Sequence, residues 1–94
     1  FISNIRYLEI ENRKVVFHCN SGKYYSMRPL SYWNEVLTKY NFYKPHSSYL
    51  VNLKYISKIN KELLELSTGE IIYFSQRKYK AFKEKYMEYI ISEI

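Results

Sequence analysis

Ninety-four residues are enough chain for one domain and too few for two. Fifteen Lys and Arg against nine acidic residues leave a formal charge of +6, and a 47% hydrophobic content supplies a core, which excludes intrinsic disorder. All nine acids are Glu, and only two Gly and two Pro occur, which excludes EF-hand calcium loops and glycine-rich phosphate cradles. Cys19 stands alone, so no intrachain disulfide forms, which fits a reducing, cytoplasmic setting. No apolar run approaches the roughly 18 residues of a membrane span, and the first residues lack a signal-peptide pattern. The chain is expected to be one domain, residues 1–94, excised from a longer protein.

Ile5 to Ile10 reads as a strand, and Glu11-Asn12-Arg13 as a turn, because Asn tolerates left-handed backbone. Lys14 to Cys19 is a second strand, with Val15, Phe17 and Cys19 on one face and Val16 and His18 on the other. Asn20-Ser21-Gly22 turns the chain into a third strand, Lys23 to Met27. Pro29 ends the meander. Leu30, Trp33, Leu37 and Tyr40 then recur at helical spacing, which predicts a helix over 29–40. Phe42 to Pro45 is short and extended. Short strands follow at 49–51, 55–59, 62–66 and 70–74, the last pair joined by Ser67-Thr68-Gly69. Tyr79, Phe82, Tyr86, Tyr89, Ile90 and Ile94 trace one face of a C-terminal helix, with Lys and Glu on the others. The expected fold is mainly β, with about seven to ten short antiparallel strands, a short middle helix and a C-terminal helix.

Three kinds of chemistry can be weighed on single residues. His46-Ser47-Ser48 places a base beside hydroxyls, but catalysis also needs an orienting carboxylate and a strained nucleophile turn, and neither is evident. No catalytic residue is assigned. His18, Cys19 and His46 match no metal-ligand spacing, so no metal or cofactor is expected. Cys19 reads as a small core residue, and His18 as facing solvent or a partner sheet. The C-terminal helix face is expected to cover the end of the β core, with partner docking as the alternative. The basic residues carry more information through their positions. Arg13 and Lys14 sit at a hairpin tip, Lys44 and His46 flank the extended link, and Arg77 and Lys78 follow the last strand. Three basic loops on a β scaffold suit phosphate contacts with one or two side chains entering a groove.

The string His46-Ser47-Ser48-Tyr49-Leu50-Val51-Asn52-Leu53, then Tyr55-Ile56, a hairpin at Gly69 and Ser75-Gln76-Arg77-Lys78, resembles the second half of a LytTR-type DNA-binding domain. Ile5-Arg6-Tyr7-Leu8-Glu9 is similar to the family's opening strand, and Arg28-Pro29-Leu30 falls where the family has its short helix. The resemblance spans essentially the whole chain in order, and the His-x-Ser-aromatic-x-Val-Asn string is its most specific part.

The resemblance implies an elongated, mostly antiparallel β domain, usually joined to a phosphoreceiver domain in bacterial two-component response regulators. Such domains bind promoter direct repeats in double-stranded DNA as tandem copies, inserting loops into successive major grooves. It places base contacts on Arg13 or Lys14 and on Arg77, and backbone contacts on His46 and Ser47, with Lys44 and Lys78 beside them. Arg pairs bidentately with guanine where Lys is a single-point donor, which favours Arg13 and Arg77 as readers. Ser47 stands where relatives often carry Arg or Asn, so that phosphate contact is expected to be weaker or to be supplied by Lys44. Asn52 and Ser48 are expected to shape the loop. A receiver domain needs an acceptor Asp, so any phosphorylation input would lie in a segment other than this one. A non-specific single-strand binder stacking bases on Tyr is a further alternative.

Overall fold

The computed structural model describes residues 1–94. Alternating apolar residues and two turns build its first half: β1 (Ile5–Glu11), β2 (Lys14–Cys19) and β3 (Gly22–Ser26) form an antiparallel meander. Asn12 and Arg13 alone join β1 to β2, both with positive φ, at 50° and 66°. That is the backbone of a two-residue hairpin whose twist matches its strands. Leu30–Leu37 forms α1, which tightens into a single 3-10 turn over Thr38–Tyr40 and stops at left-handed Asn41. The predicted helix over 29–40 is therefore present, with Pro29 just outside it. β4 (Phe42–His46) and β5 (Tyr49–Asn52) follow as a hairpin. β6 (Ile56–Ile59), β7 (Leu63–Leu66) and β8 (Ile71–Tyr73) make a second meander, and α2 (Tyr79–Ser92) ends the fold.

The strands assemble into a five-stranded sheet, ordered β3-β2-β1-β5-β4, and a three-stranded sheet, β6-β7-β8. Strand β1 pairs with β5 across the middle of the larger sheet, so both are covered on two faces. Neighbouring residues in these strands point opposite ways, which is why Tyr7 and Leu8, and Leu50 and Val51, are all buried. Leu8 and Leu50 pack with Val15, Leu30, Leu37 and Phe42 beneath α1. Tyr7 and Val51 pack on the other face with Leu53, Leu64, Leu66, Ile72 and Phe82, under the small sheet and α2. The extents are 33 × 28 × 25 Å, so the elongation is slight.

The tyrosines mostly serve this packing. Tyr7, Tyr32, Tyr43, Tyr49, Tyr55, Tyr79, Tyr86 and Tyr89 are buried or half-buried, and Tyr24, Tyr25, Tyr40 and Tyr73 are exposed. Tyr86 and Tyr89 lie on the core, and Phe82 meets Phe74 and Tyr43 at ring-centroid distances of 5.2 and 5.7 Å. The aromatic face of α2 is thus turned inward, as its spacing predicts. Ile94 lies beyond the helix end and is fully exposed.

One expectation is narrowed and one corrected. Of solvent or a partner sheet, His18 does not face solvent: its ring stacks on Tyr7 at 4.2 Å and is buried, because the β1–β2 register sets the two side by side. Cys19 is only half-buried, because α1 stops short of this end of the sheet, where the residue lines an open groove. Burial still pushes its thiol up, away from the reactive thiolate.

One ion pair ties the sheets together. The Arg6 guanidinium donates to Glu70 at 2.7 Å, to the Cys19 carbonyl at 2.8 Å and to Asn20 at 3.2 Å, while its Nε has no partner. Burial alone would raise the Glu70 carboxyl. Hydrogen bonds from Thr68 and Arg6, with the Arg6 charge, outweigh it and hold the group below its ordinary 4.5. A carboxylate depressed in the folded state stabilises the fold above its unfolded pKa, and that contribution is lost as pH falls through the folded value. Urea unfolding of the parent and of Glu70→Gln should therefore differ at about pH 6 and converge at about pH 3. A gap that persists in acid would remove the ion pair from the stability of the sheet junction.

Candidate nucleic-acid interface

Strand direction decides where the basic loops lie. β1 ends, and β5 begins, at the same end of the large sheet, and the Ile10 amide donates to the Ser48 carbonyl at 3.0 Å. The Asn12-Arg13 tip and the Ser47-Ser48 turn are therefore neighbours. At the far side of that turn, the Ser75 amide donates to the Pro45 carbonyl at 3.0 Å, which draws the segment before α2 to the end of β4. All three loops singled out in the sequence thus converge at one end of the fold, although 64 residues separate Arg13 from Arg77.

Each loop has its own local logic. Arg13 and Lys14 are exposed at the hairpin tip, with Arg13 in left-handed backbone. In the second loop, the His46 Nδ1 accepts the Ser48 amide at 3.0 Å and the ring meets Tyr49 edge-on. A neutral His46 bonded in this way carries its proton on Nε2, where it can be donated outward. Ser47 is exposed, and Ser48 holds the turn through its backbone. In the third loop, the Lys78 amide closes a four-residue turn on the Ser75 carbonyl at 3.1 Å. Its third residue, Arg77, has φ 76°.

Four residues other than glycine have positive φ: Asn12, Arg13, Asn41 and Arg77. Asn is at home there, since its short amide bonds locally, but Arg is not, and a left-handed residue with a Cβ costs about 1–2 kcal/mol. The two strained residues are Arg77 and Arg13; the resemblance implies base contact for Arg77 and for Arg13 or Lys14. Strain of this kind persists where the surroundings over-determine it, commonly at functional positions. Nothing in the local sequence signals it, because neither turn carries Gly where the backbone asks for one.

The basic side chains at this end have no ion-pair partners. The ion pairs are Arg6–Glu70, His18–Glu9 and Lys85–Glu88, so Arg13, Lys14, Lys44, Arg77 and Lys78 have no carboxylate partner. Burial, and then the neighbouring Lys78 charge, lower the Lys44 amine from its ordinary value. An anion between the two ammonium groups would relieve that repulsion. Lys78 also starts α2, whose first turn has no acidic residue and no side-chain cap, so the positive end of the helix dipole adds to the same field.

Acidic side chains meet beneath the hairpin. His18 Nε2 donates to Glu9 at 3.1 Å, and the ligand atoms of Glu9, Glu11 and His18 lie within 4.8 Å of one another. This trio could hold a cation. It is a different set from the His18, Cys19 and His46 weighed from the sequence. Glu9 also lies opposite Tyr49 in the ladder, and the Tyr49 hydroxyl is pushed up by burial first and then by the Glu9 charge. Asn52 does the structural work its place in the motif suggests: its amide donates to the Ile5 carbonyl at 2.9 Å and accepts the Lys54 amide at 3.2 Å. Because the side chain is buried, Asn52→Leu should cost about 1–3 kcal/mol by stranding both backbone groups, as read by urea denaturation. A loss below about 0.5 kcal/mol would mean that water replaces it.

The family model for the LytTr DNA-binding domain matches residues 1–87. The chain belongs to the LytTr DNA-binding domain family. Its fold is also similar to a solved LytTr DNA-binding domain of a putative methyl-accepting/DNA response regulator from Bacillus cereus, at a TM-score of 0.80 and 25% identity, over 92% of this chain and 83% of that one. A comparison with the curated proteins gives no match. As a LytTr domain the chain is a DNA-binding unit of the kind used in transcription regulation, and no helix in it is long and apolar enough to cross a membrane.

Proposed function

We propose that this LytTr domain reads double-stranded DNA sequence-specifically with the three loops at one end of its large sheet. The convergence of those loops, all basic and all without carboxylate partners, carries the reading. Arg13 and Arg77 enter successive major grooves and meet base edges, with Lys14 beside Arg13. Lys44, His46, Ser47 and Lys78 hold the sugar-phosphate backbone between them. Guanine is the base best matched to the two Arg, through its O6 and N7 acceptors. Two copies bind adjacent direct repeats of a promoter, and the domain acts without enzymatic chemistry or a cofactor. It serves as the output unit of a cytoplasmic bacterial two-component regulator, whose receiver lies elsewhere in a longer polypeptide.

Selection of bound duplexes from a random pool tests this reading. Direct repeats with guanines spaced by about one helical turn should be enriched. A pool that stays random, or tighter binding to single strands, would contradict it. Lys44 gives a second check. Lys44→Ala should weaken all duplexes alike and flatten the slope of log affinity against log salt by about 0.9. An unchanged slope would remove Lys44 from the phosphate contacts.

A further inference from the structure

The outer edge of the large sheet is unlike its opposite edge. At β4 the rim is blunted by Pro45 and covered by the segment at Ser75 and by α2. At β3 nothing covers it. The β2–β3 register runs without a bulge from Cys19↔Gly22 to Val15↔Ser26, and no backbone hydrogen bond from outside that ladder reaches residues 22–26. Every second amide and carbonyl along β3 therefore points outward unpaired. The strand has no Pro, and Lys23 is its one charge.

Beside this edge lies an open apolar groove. Ile5, Phe17, Tyr24, Met27, Trp33 and Phe1 line a groove of about 740 Å³, in the part of the α1-side face that α1 leaves bare. Tyr24 is 53% exposed and Met27 90%. The pleat sorts the two faces. Tyr24 is the register partner of Phe17 and shares its groove side, whereas Lys23 is the partner of His18 and projects from the other. No carboxylate lines the groove, and the exposed Arg28 follows the strand.

We infer that β3 accepts an extended protein segment as a sixth strand, one whose residues alternate between apolar and acidic. The unpaired main-chain groups supply the ladder, and alternate side chains are sorted as in other strand-addition complexes. Apolar residues of the incoming strand fall into the groove beside Tyr24. The intervening residues fall on the opposite face beside Lys23, where a carboxylate makes a favourable cross-strand pair and an ammonium an unfavourable one. The Gly22 end of this edge pairs with Cys19, away from the three basic loops, and its Ser26 end pairs with Val15, next to Lys14.

The test uses synthetic ten-residue peptides, one alternating Val and Phe with Glu and one of the same pattern with Lys, added to the 15N-labelled domain. The Glu peptide should bind saturably at about 10–100 µM, as for other small transient interfaces, and protect the amides of residues 22–26 from exchange. Lys23→Glu should weaken it about fivefold, strengthen the Lys peptide, and leave the melting temperature and duplex binding unchanged. Equal binding of the two peptides, no saturation by about 1 mM, or protection elsewhere would overturn the inference. So would concentration-dependent protection of β3 without peptide, which would give this edge to a second copy of the chain.

Discussion

Arg77→Gly is expected to make the domain more stable and a poorer reader of its own site. The left-handed backbone at φ 76° costs an Arg about 1–2 kcal/mol and a Gly nothing, while Gly loses more entropy on folding. The balance is a gain of about 0.5–1 kcal/mol, visible as a higher urea midpoint. Affinity for the selected duplex should fall about 5- to 150-fold, the range of one bidentate Arg contact to a base, with preference relaxed at a single position. Arg77→Ala separates the two effects. It keeps the strain and loses the guanidinium, so affinity falls equally with no gain in stability. Arg77→Lys keeps the charge without the fork and should restore general but not specific binding. If Arg77→Gly lost affinity equally for selected and scrambled duplexes, Arg77 would be a phosphate contact only.

Phe82→Ala carries the largest stability effect. The ring is fully buried, where α2 meets Tyr43 of β4 and Phe74 after β8. Its removal should cost about 3–5 kcal/mol, a large part of the roughly 5–15 kcal/mol that holds such a domain together. The cost reaches the interface, because Phe82 anchors the first turn of α2 and with it the Ser75–Lys78 turn. Urea unfolding measures the loss, and duplex affinity should fall even under conditions where the variant remains folded. A loss under about 1 kcal/mol would mean that α2 is held by its other contacts.

The strands and helices were legible wherever one local pattern decided the outcome. Alternation fixed β2, and Asn12 with Gly22 marked the two turns of the first meander. Leu30, Trp33 and Leu37 marked α1. Local patterns failed where a distant partner decided. Tyr55, read as the first residue of a strand, instead ends a 3-10 turn over Leu53–Tyr55, where Asn52 caps the Lys54 amide. His18 is buried by Tyr7 across the ladder, and Arg6 finds Glu70 across 64 residues of sequence.

The interface divides in the same way. Each basic loop could be read from its own residues, and the family string around His46 pointed to the LytTr family, whose model the chain matches. That they share one end of the fold depends on β1 pairing with β5, and on Ser75 bonding Pro45, neither of which any local pattern encodes. The left-handed backbone at Arg13 and Arg77 was equally invisible, since turns of this kind are recognised by Gly or Asn.

The most direct test of the shared DNA face is a 15N–1H map of amide shifts as the selected duplex is titrated into the labelled domain. The largest changes should appear together at residues 12–14, 44–48 and 75–78, saturating with one affinity. Changes centred on β3 or on the outer face of α2, or a response in only one of the three loops, would contradict it.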